Sequence, residues 1–133
     1  MSTIPTWTWL RWKACDRLLF PERHPCLRQR GKAGIGHTRW ATHGAPTIVN
    51  AHPHQAGRVA VVHNGIIENF RALRAELADH GTEFTTETDT ETVALLTEHH
   101  MAQGMGPVEA AFATIDRIEG TFALAFLFEG EED

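Results

Sequence analysis

The stretch RVAVVHNG, residues 58–65, decides the fold. Its apolar run, Val59 to Val62, is continuous and predicts a strand that is buried on both faces. Asn64-Gly65 then predicts a turn, because both residues tolerate a positive φ. Residues 66–80 predict an amphipathic helix that Gly81 ends. The apolar stripe of this helix, at spacings of four, three and four, is Ile66, Phe70, Leu73 and Leu77.

Further elements flank this stretch on both sides. Residues 33–38 predict a short strand, and residues 50–54 (NAHPH) predict an irregular segment. Residues 83–86 are a further strand candidate. Thr88-Asp-Thr-Glu91 has the spacing of a capping box, which predicts a helix that begins there and runs to about Gln103.

The last third of the chain predicts one more helix and one more strand. Pro107 opens the helix at its first turn and Gly120 ends it. The buried face predicted for it comprises Val108, Ala111, Phe112, Ile115 and Ile118. Residues 121–128 are nearly all apolar and predict a fully buried strand. This mixture of strands and helices, without strict βαβ regularity, predicts an α+β fold with helices packed on a sheet.

Composition limits the class of protein. A chain of 133 residues with 42% hydrophobic and 22% charged residues is typical of one globular domain. No apolar run approaches the roughly 20 residues of a membrane span, and charges and prolines interrupt the N-terminal region that a signal peptide would occupy. Only two cysteines are present, which favours a reducing compartment. We therefore expect a cytoplasmic protein without a membrane partner.

Charge divides the chain into two unequal parts. Residues 1–30 carry a net charge of +4, and residues 31–133 carry −9. The acidic larger part argues against nucleic acid as a partner. Residues 1–30 show no helical or strand period and predict a poorly ordered or mistranslated segment outside the fold. The expected domain therefore covers residues 31–133.

Polar groups at the ends of these elements suggest a binding site. The motif HTRWATHG, residues 37–44, contains Arg39, whose planar guanidinium can bind a carboxylate through two hydrogen bonds. Asp89 would bind an ammonium group, so the two charges together suit an amino acid. Asn64 and Gly65 would offer the two N–H donors of an oxyanion hole. Each feature also has a structural explanation, as a surface ion pair, a helix cap or a simple turn.

A metal site is the competing explanation for the many histidines of this region. Five lie within 27 positions: His37, His43, His52, His54 and His63. No HExxH motif is present, however, and no carboxylate lies between the first and the last of them. The sequence therefore predicts neither a metal nor another cofactor.

Four motifs in this order, HTRWATHG, NAHPH, VVHNGIIENF and ETDTE, resemble the N-terminal glutaminase domain of the glutamine–fructose-6-phosphate aminotransferases. The resemblance covers roughly residues 31–128. It implies the N-terminal-nucleophile hydrolase fold, in which two stacked antiparallel sheets lie between helices in four αββα layers. Strands at both ends of that fold would be missing from this chain.

The resemblance also implies roles for individual residues. Glutamine would be held by Arg39 and Asp89, in a pocket that Trp40, Thr42 and His43 also line. Asn64 and Gly65 would form the oxyanion hole. An N-terminal cysteine would attack the side-chain amide and release ammonia. In the whole enzyme this ammonia would pass to a sugar-phosphate isomerase domain, which uses fructose 6-phosphate to make glucosamine 6-phosphate, in a homo-oligomer.

The chain departs from this family at its start. It begins Met1-Ser-Thr-Ile, and neither Cys15 nor Cys26 has the Cys-Gly-Ile context of the family's nucleophile. We therefore expect no significant glutaminase activity from this chain alone, and marginal stability because strands of the sheets lack partners. The alternatives are a non-catalytic remnant that binds glutamine or a partner, and a fragment of another class II amidotransferase, such as amidophosphoribosyltransferase.

Overall fold

A computed structural model describes residues 33–38 and 42–131. Segment 1–30, Arg39 and Trp40 therefore lie outside the described residues, together with the predictions made for them. The elements are β1 (His54–Ala56), β2 (Val59–Ile67), α1 (Phe70–Asp79), α2 (Asp89–Ala102), α3 (Pro107–Ile115) and β3 (Gly120–Phe128).

The strands form one antiparallel sheet in the order β1-β2-β3. β2 pairs with β3 along its whole length, from Val59 opposite Phe128 to Ile67 opposite Gly120. Helices α1 and α2 pack together, and α2 also contacts β1 and β2. An antiparallel sheet with helices packed on it agrees with the predicted α+β class.

The core lies between the sheet and the first two helices. Residues 59–63 of β2 are all buried, which confirms the prediction for the first half of this strand. Alternate residues of β2 face the helices, as expected from the two-residue period of a strand. The fully buried members of this core are Val59, Val61, Ile67, Val93, Ala94 and Leu96.

The capping motif begins α2 where the sequence predicted it. Thr88 has an extended conformation, and its hydroxyl accepts a hydrogen bond from the backbone N–H of Glu91. The helix then runs to Ala102, with Gln103 as its C-terminal cap. Asp89 is therefore the first residue of a helix whose start is set by a local hydrogen bond.

The turn predicted at Asn64-Gly65 is wrong, because both residues lie inside β2. Gly65 has φ +117° within the strand and is paired with Phe122 of β3. The β3 partner extends the ladder to Ile67, and this outweighs the local turn preference. Consequently α1 begins only at Phe70, and Ile66, which was assigned to the helical stripe, is 43% exposed.

The end of α1 agrees with the sequence. The helix ends at Asp79, and Gly81 follows with φ +87°. The N–H groups of Gly81 and Thr82 donate to the carbonyls of Ala78 and Leu77, which completes a Schellman motif. The predicted stop at Gly81 is confirmed.

The buried face predicted for α3 is largely wrong. Val108 and Phe112 are 68% and 63% exposed, whereas Ala110 and Thr114 are fully buried. The Thr114 hydroxyl contacts that of Thr97 at 3.0 Å, so small side chains allow α3 to approach α2 closely. Of the predicted face, only Ile118 is buried, and it lies beyond the end of the helix.

Four other predictions differ from the structure. Residues 121–128 do form a strand, but β3 has no buried residue because within the described chain it lies at the edge of the sheet. Residues 33–38 and 83–86 form no strand. β1, which begins at His54, was missed because it starts inside the segment predicted to be irregular.

Among residues 33–38 and 42–131, no helix is both long enough and apolar enough to cross a bilayer.

Candidate functional site

A pocket of about 200 Å³ lies beside the second half of β2 and the start of α2. All of its lining residues except Gly65 carry a hydroxyl, an imidazole, an amide or a carboxylate. The lining residues are Thr42, His43, His52, His63, Asn64, Gly65, Thr88, Asp89 and Thr90. The sequence places them in four separate segments, which the pairing of β2 with its neighbours and the start of α2 bring together.

Asp89 supplies the carboxylate of this pocket and is only 3% exposed. Its Oδ2 accepts a hydrogen bond from the backbone N–H of Ile67 at 3.0 Å. The Nδ1 atoms of His43 and His63 lie 3.6 and 3.8 Å from the same oxygen. The carboxylate is thus held at the junction of β2 and α2, where it can receive a cationic group of a ligand.

Threonine hydroxyls position the buried histidines around Asp89. Thr90 Oγ1 lies 2.9 Å from Nε2 of His52 and 3.0 Å from Nδ1 of His63. Thr88 Oγ1 lies 3.0 Å from Nε2 of His54. Because each hydroxyl belongs to the first residues of α2 or its cap, the start of this helix fixes the imidazoles as well as the carboxylate.

Burial lowers the pKa of His63 below its ordinary value of 6.5, although the nearby carboxylate of Asp89 acts in the opposite direction. The charges of His37 and His43 lower this pKa further. A neutral His63 beside Asp89 follows, so the negative charge of Asp89 stays available to a ligand.

Asn64 and Gly65 lie side by side on β2 and both line the pocket. Oδ1 of Asn64 lies 2.5 Å from Nε2 of His37, and the carbonyl of Gly65 accepts a hydrogen bond from the Thr42 hydroxyl at 3.4 Å. A Cβ atom at position 65 would clash with the carbonyl oxygen of Thr121. Only glycine therefore lets the two strands pair at this point of the pocket.

Asn50 holds the loop that carries His43 against the turn before α2. Its amide nitrogen donates to the carbonyl of Ala45 at 3.0 Å and to the carboxylate of Glu87 at 3.3 Å. Its amide oxygen accepts from the backbone N–H of Glu87 at 3.1 Å. Sequence reasoning did not assign a role to Asn50, although it lies in the NAHPH motif.

Glu91 holds the turn before Asp89 through four hydrogen bonds, which come from the backbone N–H groups and hydroxyls of Thr85 and Thr86. Burial would raise its pKa, but these hydrogen bonds outweigh burial and keep the pKa of Glu91 below its ordinary value. Arg74 lies 3.7 Å from this carboxylate and donates to the carbonyls of Thr86 and Thr88. The capping-box spacing identified Glu91, but not these partners.

The structure thus brings together five of the seven residues predicted for the site: Thr42, His43, Asn64, Gly65 and Asp89. Arg39 and Trp40 lie outside the described residues. In the described part of the chain, no group of three or more His, Cys, Asp or Glu side chains is arranged to hold a metal ion. The histidines proposed as alternative metal ligands contact threonine, asparagine and aspartate side chains instead.

Two solved structures share the fold of this chain. The glutamine phosphoribosylpyrophosphate amidotransferase of B. subtilis matches with a TM-score of 0.59 and 24% identity, over 70% of this chain and 20% of that one. A second structure, described as the allosteric regulatory enzyme of purine biosynthesis, matches 61% of this chain and 18% of that one, with a TM-score of 0.54 and 23% identity. The chain therefore shares its fold with a part of each of these two proteins.

The sequence itself specifies the family. Residues 42–133 match the glutamine amidotransferase domain, and the chain belongs to this family. The glutamine–fructose-6-phosphate aminotransferase (isomerizing) of Gluconobacter oxydans is 63% identical over 102 residues, and that of Caulobacter vibrioides is 60% identical over 100 residues. These alignments cover 77% and 75% of this chain. The resemblance inferred from the four motifs is confirmed. The aligned part spans only 17% and 16% of these relatives.

Proposed function

We propose that this chain is the glutamine-binding portion of a glutaminase domain, which hydrolyses glutamine to supply ammonia for glucosamine 6-phosphate synthesis. One observation carries the proposal: the buried carboxylate of Asp89 lines the same small pocket as Asn64 and Gly65. An amino acid with a side-chain amide needs a charged partner at one end and N–H donors at the other. The relatives in Gluconobacter and Caulobacter are named for a glutamine-dependent reaction, which agrees with this ligand.

The two ends of glutamine bind to different segments. Asp89 binds the α-ammonium group, since its carboxylate is fixed by the N–H of Ile67 and lies beside a neutral His63. Arg39 binds the α-carboxylate through its planar guanidinium. Thr42 and His43 line the pocket, and Trp40 belongs to the same motif.

The reaction takes place at the other end of the ligand. Asn64 Nδ2 and the N–H of Gly65 donate to the side-chain carbonyl oxygen, which becomes negatively charged when a cysteine thiolate attacks the amide carbon. The tetrahedral intermediate then expels ammonia, and water hydrolyses the thioester to release glutamate. Cys15 is followed by Asp-Arg and Cys26 by Leu-Arg, so neither has the Cys-Gly-Ile context of the family's nucleophile. We therefore assign to this chain the glutamine site and the oxyanion donors, and not the thiolate.

The four-layer form of the fold is also part of this proposal. The face of β2 and β3 away from the helices carries small and apolar side chains, among them Val62, Ile66, Ala123 and Ala125. Ile66, Ala123 and Ala125 are exposed. A second sheet stacked on this face would bury them, as the αββα arrangement requires. Residues 31–133 would then be part of a larger domain of a cytoplasmic homo-oligomer, in which an isomerase domain binds fructose 6-phosphate.

Calorimetric titration of the chain with glutamine tests the proposal. We expect 1:1 binding that Arg39→Ala weakens at least tenfold, since a charged hydrogen-bond pair to the ligand is lost. Arg71→Ala is the matched control, because Arg71 is exposed on α1 and does not line the pocket. Absence of glutamine binding to the unsubstituted chain, or an equal loss in both variants, would contradict the proposal.

A non-catalytic glutamine-binding module is the second candidate, because neither Cys15 nor Cys26 is followed by Gly-Ile, as the family's nucleophile would be. Ammonia release from glutamine distinguishes the two candidates. Release by the unsubstituted chain that is lost in a Cys15→Ala, Cys26→Ala double variant would identify a nucleophile within this chain. Binding without release is the result that the binding module predicts.

A further inference from the structure

The side-chain amide of Asn64 can present either of two opposite groups to a ligand. Its oxygen accepts hydrogen bonds and its nitrogen donates them, and a rotation of the amide exchanges the two. An oxyanion site requires the nitrogen to face the ligand. The Asn64 oxygen is the atom that lies 2.5 Å from Nε2 of His37. The orientation of Asn64 therefore depends on the hydrogen that His37 carries.

Two tautomers of His37 have opposite consequences. With a hydrogen on Nε2, His37 donates to Oδ1 of Asn64 and leaves Nδ2 free to donate into the pocket. With a bare Nε2, His37 would accept from Nδ2 instead, and the amide oxygen of Asn64 would face the ligand and repel its carbonyl oxygen. The pairing of Nε2 with Oδ1 requires a hydrogen on Nε2, because an amide oxygen only accepts.

His37 also packs against a second histidine, His52. Its ring centroid lies 4.4 Å from that of His52, with an angle of 41° between the planes. His52 is buried, and its Nε2 lies 2.9 Å from the hydroxyl of Thr90 in the first turn of α2. A fixed ring thus limits the positions open to His37, and that ring is anchored on the helix that carries Asp89.

We propose that His37 is a positioning residue which, through its Nε2–H, binds Oδ1 of Asn64 and directs Nδ2 into the pocket as a donor. His37 is not among the residues that line the pocket, and it contacts the lining residue Asn64. The inference rests on the proposed glutamine site, since it assigns the Asn64 nitrogen to the side-chain carbonyl of that ligand. It adds a residue to which the family resemblance gave no role.

The tautomer can be measured without any ligand. Long-range ¹H–¹⁵N correlation spectra of the histidine rings, recorded on the full chain, assign the hydrogen of each imidazole. We expect His37 to carry it on Nε2, with slow solvent exchange, and an Asn64→Leu variant to remove that protection. A neutral Nδ1–H tautomer of His37 would overturn the proposal. This result does not depend on whether glutamine binds.

Comparison of glutamine with glutamate tests the consequence for the pocket. The side-chain amide of glutamine can both donate and accept, whereas the side-chain carboxylate of glutamate only accepts. If Asn64 turns its oxygen toward the ligand, the affinity for glutamate should therefore fall more than the affinity for glutamine. In His37→Ala we expect the ratio of the glutamate Kd to the glutamine Kd to rise about tenfold.

His37→Gln should restore the ratio, because its amide nitrogen can donate to Oδ1 of Asn64. His80→Ala, at the exposed end of α1, is the matched control and should leave the ratio unchanged. If His37→Ala weakens both ligands equally, its role is structural and the proposal is wrong. If the unsubstituted chain binds neither ligand, the proposed function fails, and the tautomer measurement alone supports or overturns the role of His37.

Discussion

Asp89 accepts a hydrogen bond from the backbone N–H of Ile67 at 3.0 Å, so the first residue of α2 is joined to the last residue of β2. The same carboxylate lines the pocket, so Asp89 contributes both to the fold and to the candidate site. Removing its charge while keeping its shape separates these two roles.

Asp89→Asn should retain the bond from Ile67, because the new amide oxygen can accept it, and should lose the attraction for an ammonium group. We expect the affinity for glutamine to fall at least tenfold, and the free energy of unfolding to change by about 1 kcal/mol or less. Calorimetry and urea denaturation measure the two quantities. Asp79→Asn, at the exposed end of α1, is the control and should change neither.

Gly65→Ala should destabilise the protein by about 2–3 kcal/mol, because it combines a φ of +117° with a steric clash against Thr121 and Phe122. Gly81→Ala separates these two causes. Gly81 also has a positive φ, +87°, but a Cβ atom there would meet nothing within 4 Å. We expect a loss of about 1 kcal/mol for Gly81→Ala. If urea denaturation shows that the two variants lose the same free energy of unfolding, the clash at Thr121 is relieved without cost.

Glu91→Gln should make the stability of the protein less dependent on pH in the acidic range. Hydrogen bonds from Thr85 and Thr86 keep the pKa of Glu91 below its ordinary value of 4.5, so the unfolded chain binds this proton more readily than the native state. The contribution of Glu91 to stability is therefore complete above pH 4.5 and is lost as the pH falls through the native pKa.

Thermal unfolding of the unsubstituted chain and of Glu91→Gln between pH 3 and pH 7 tests this dependence. The two stability curves should converge as the pH falls below 4.5, the ordinary pKa of Glu91. Glu83→Gln, which removes an exposed carboxyl on the same turn, should keep the shape of the unsubstituted curve. A constant difference between Glu91→Gln and the unsubstituted chain at every pH would contradict the assignment.

Substitutions on the two faces of α3 should change the free energy of unfolding by different amounts. Phe112→Ser removes an apolar side chain that is 63% exposed, so the free energy of unfolding should change by about 0.5 kcal/mol or less. Ala110→Leu inserts three carbon atoms where the residue is fully buried, and should cost about 1–3 kcal/mol. Urea denaturation compares the two. A large loss of stability in Phe112→Ser, without one in Ala110→Leu, would instead support the buried face that the periodicity predicted.

Local sequence signals predicted the parts of the site that local interactions build. Thr88 and Asp89 were placed correctly at the start of α2, because a cap and a first turn depend on residues within four positions of each other. Gly81 was placed correctly at the end of α1 for the same reason. The motif resemblance then assigned the pocket residues, of which five line one cavity.

Interactions between distant parts of the chain explain the errors. The turn expected at Asn64-Gly65 is overridden by pairing with residues 122 and 123 of β3, which no local pattern reveals. The face of α3 was misassigned because its larger apolar side chains point outward, while Ala110 and Thr114 allow close contact with α2. The partners of Asn50 and Glu91 were missed for the same reason, since hydrogen bonds of this kind follow from the folded turn.

A single hydroxyl group links two of the imidazoles of this pocket. Thr90 Oγ1 contacts both His52 and His63, and it has only one hydrogen to donate. At least one of the two facing ring nitrogens must therefore carry a hydrogen of its own. The ring of His52 contacts that of His37, which faces Asn64, and His63 lies beside Asp89. The two ring nitrogens that face Thr90 therefore cannot both lack a hydrogen, so the protonation of the imidazole beside His37 is coupled to that of the imidazole beside Asp89.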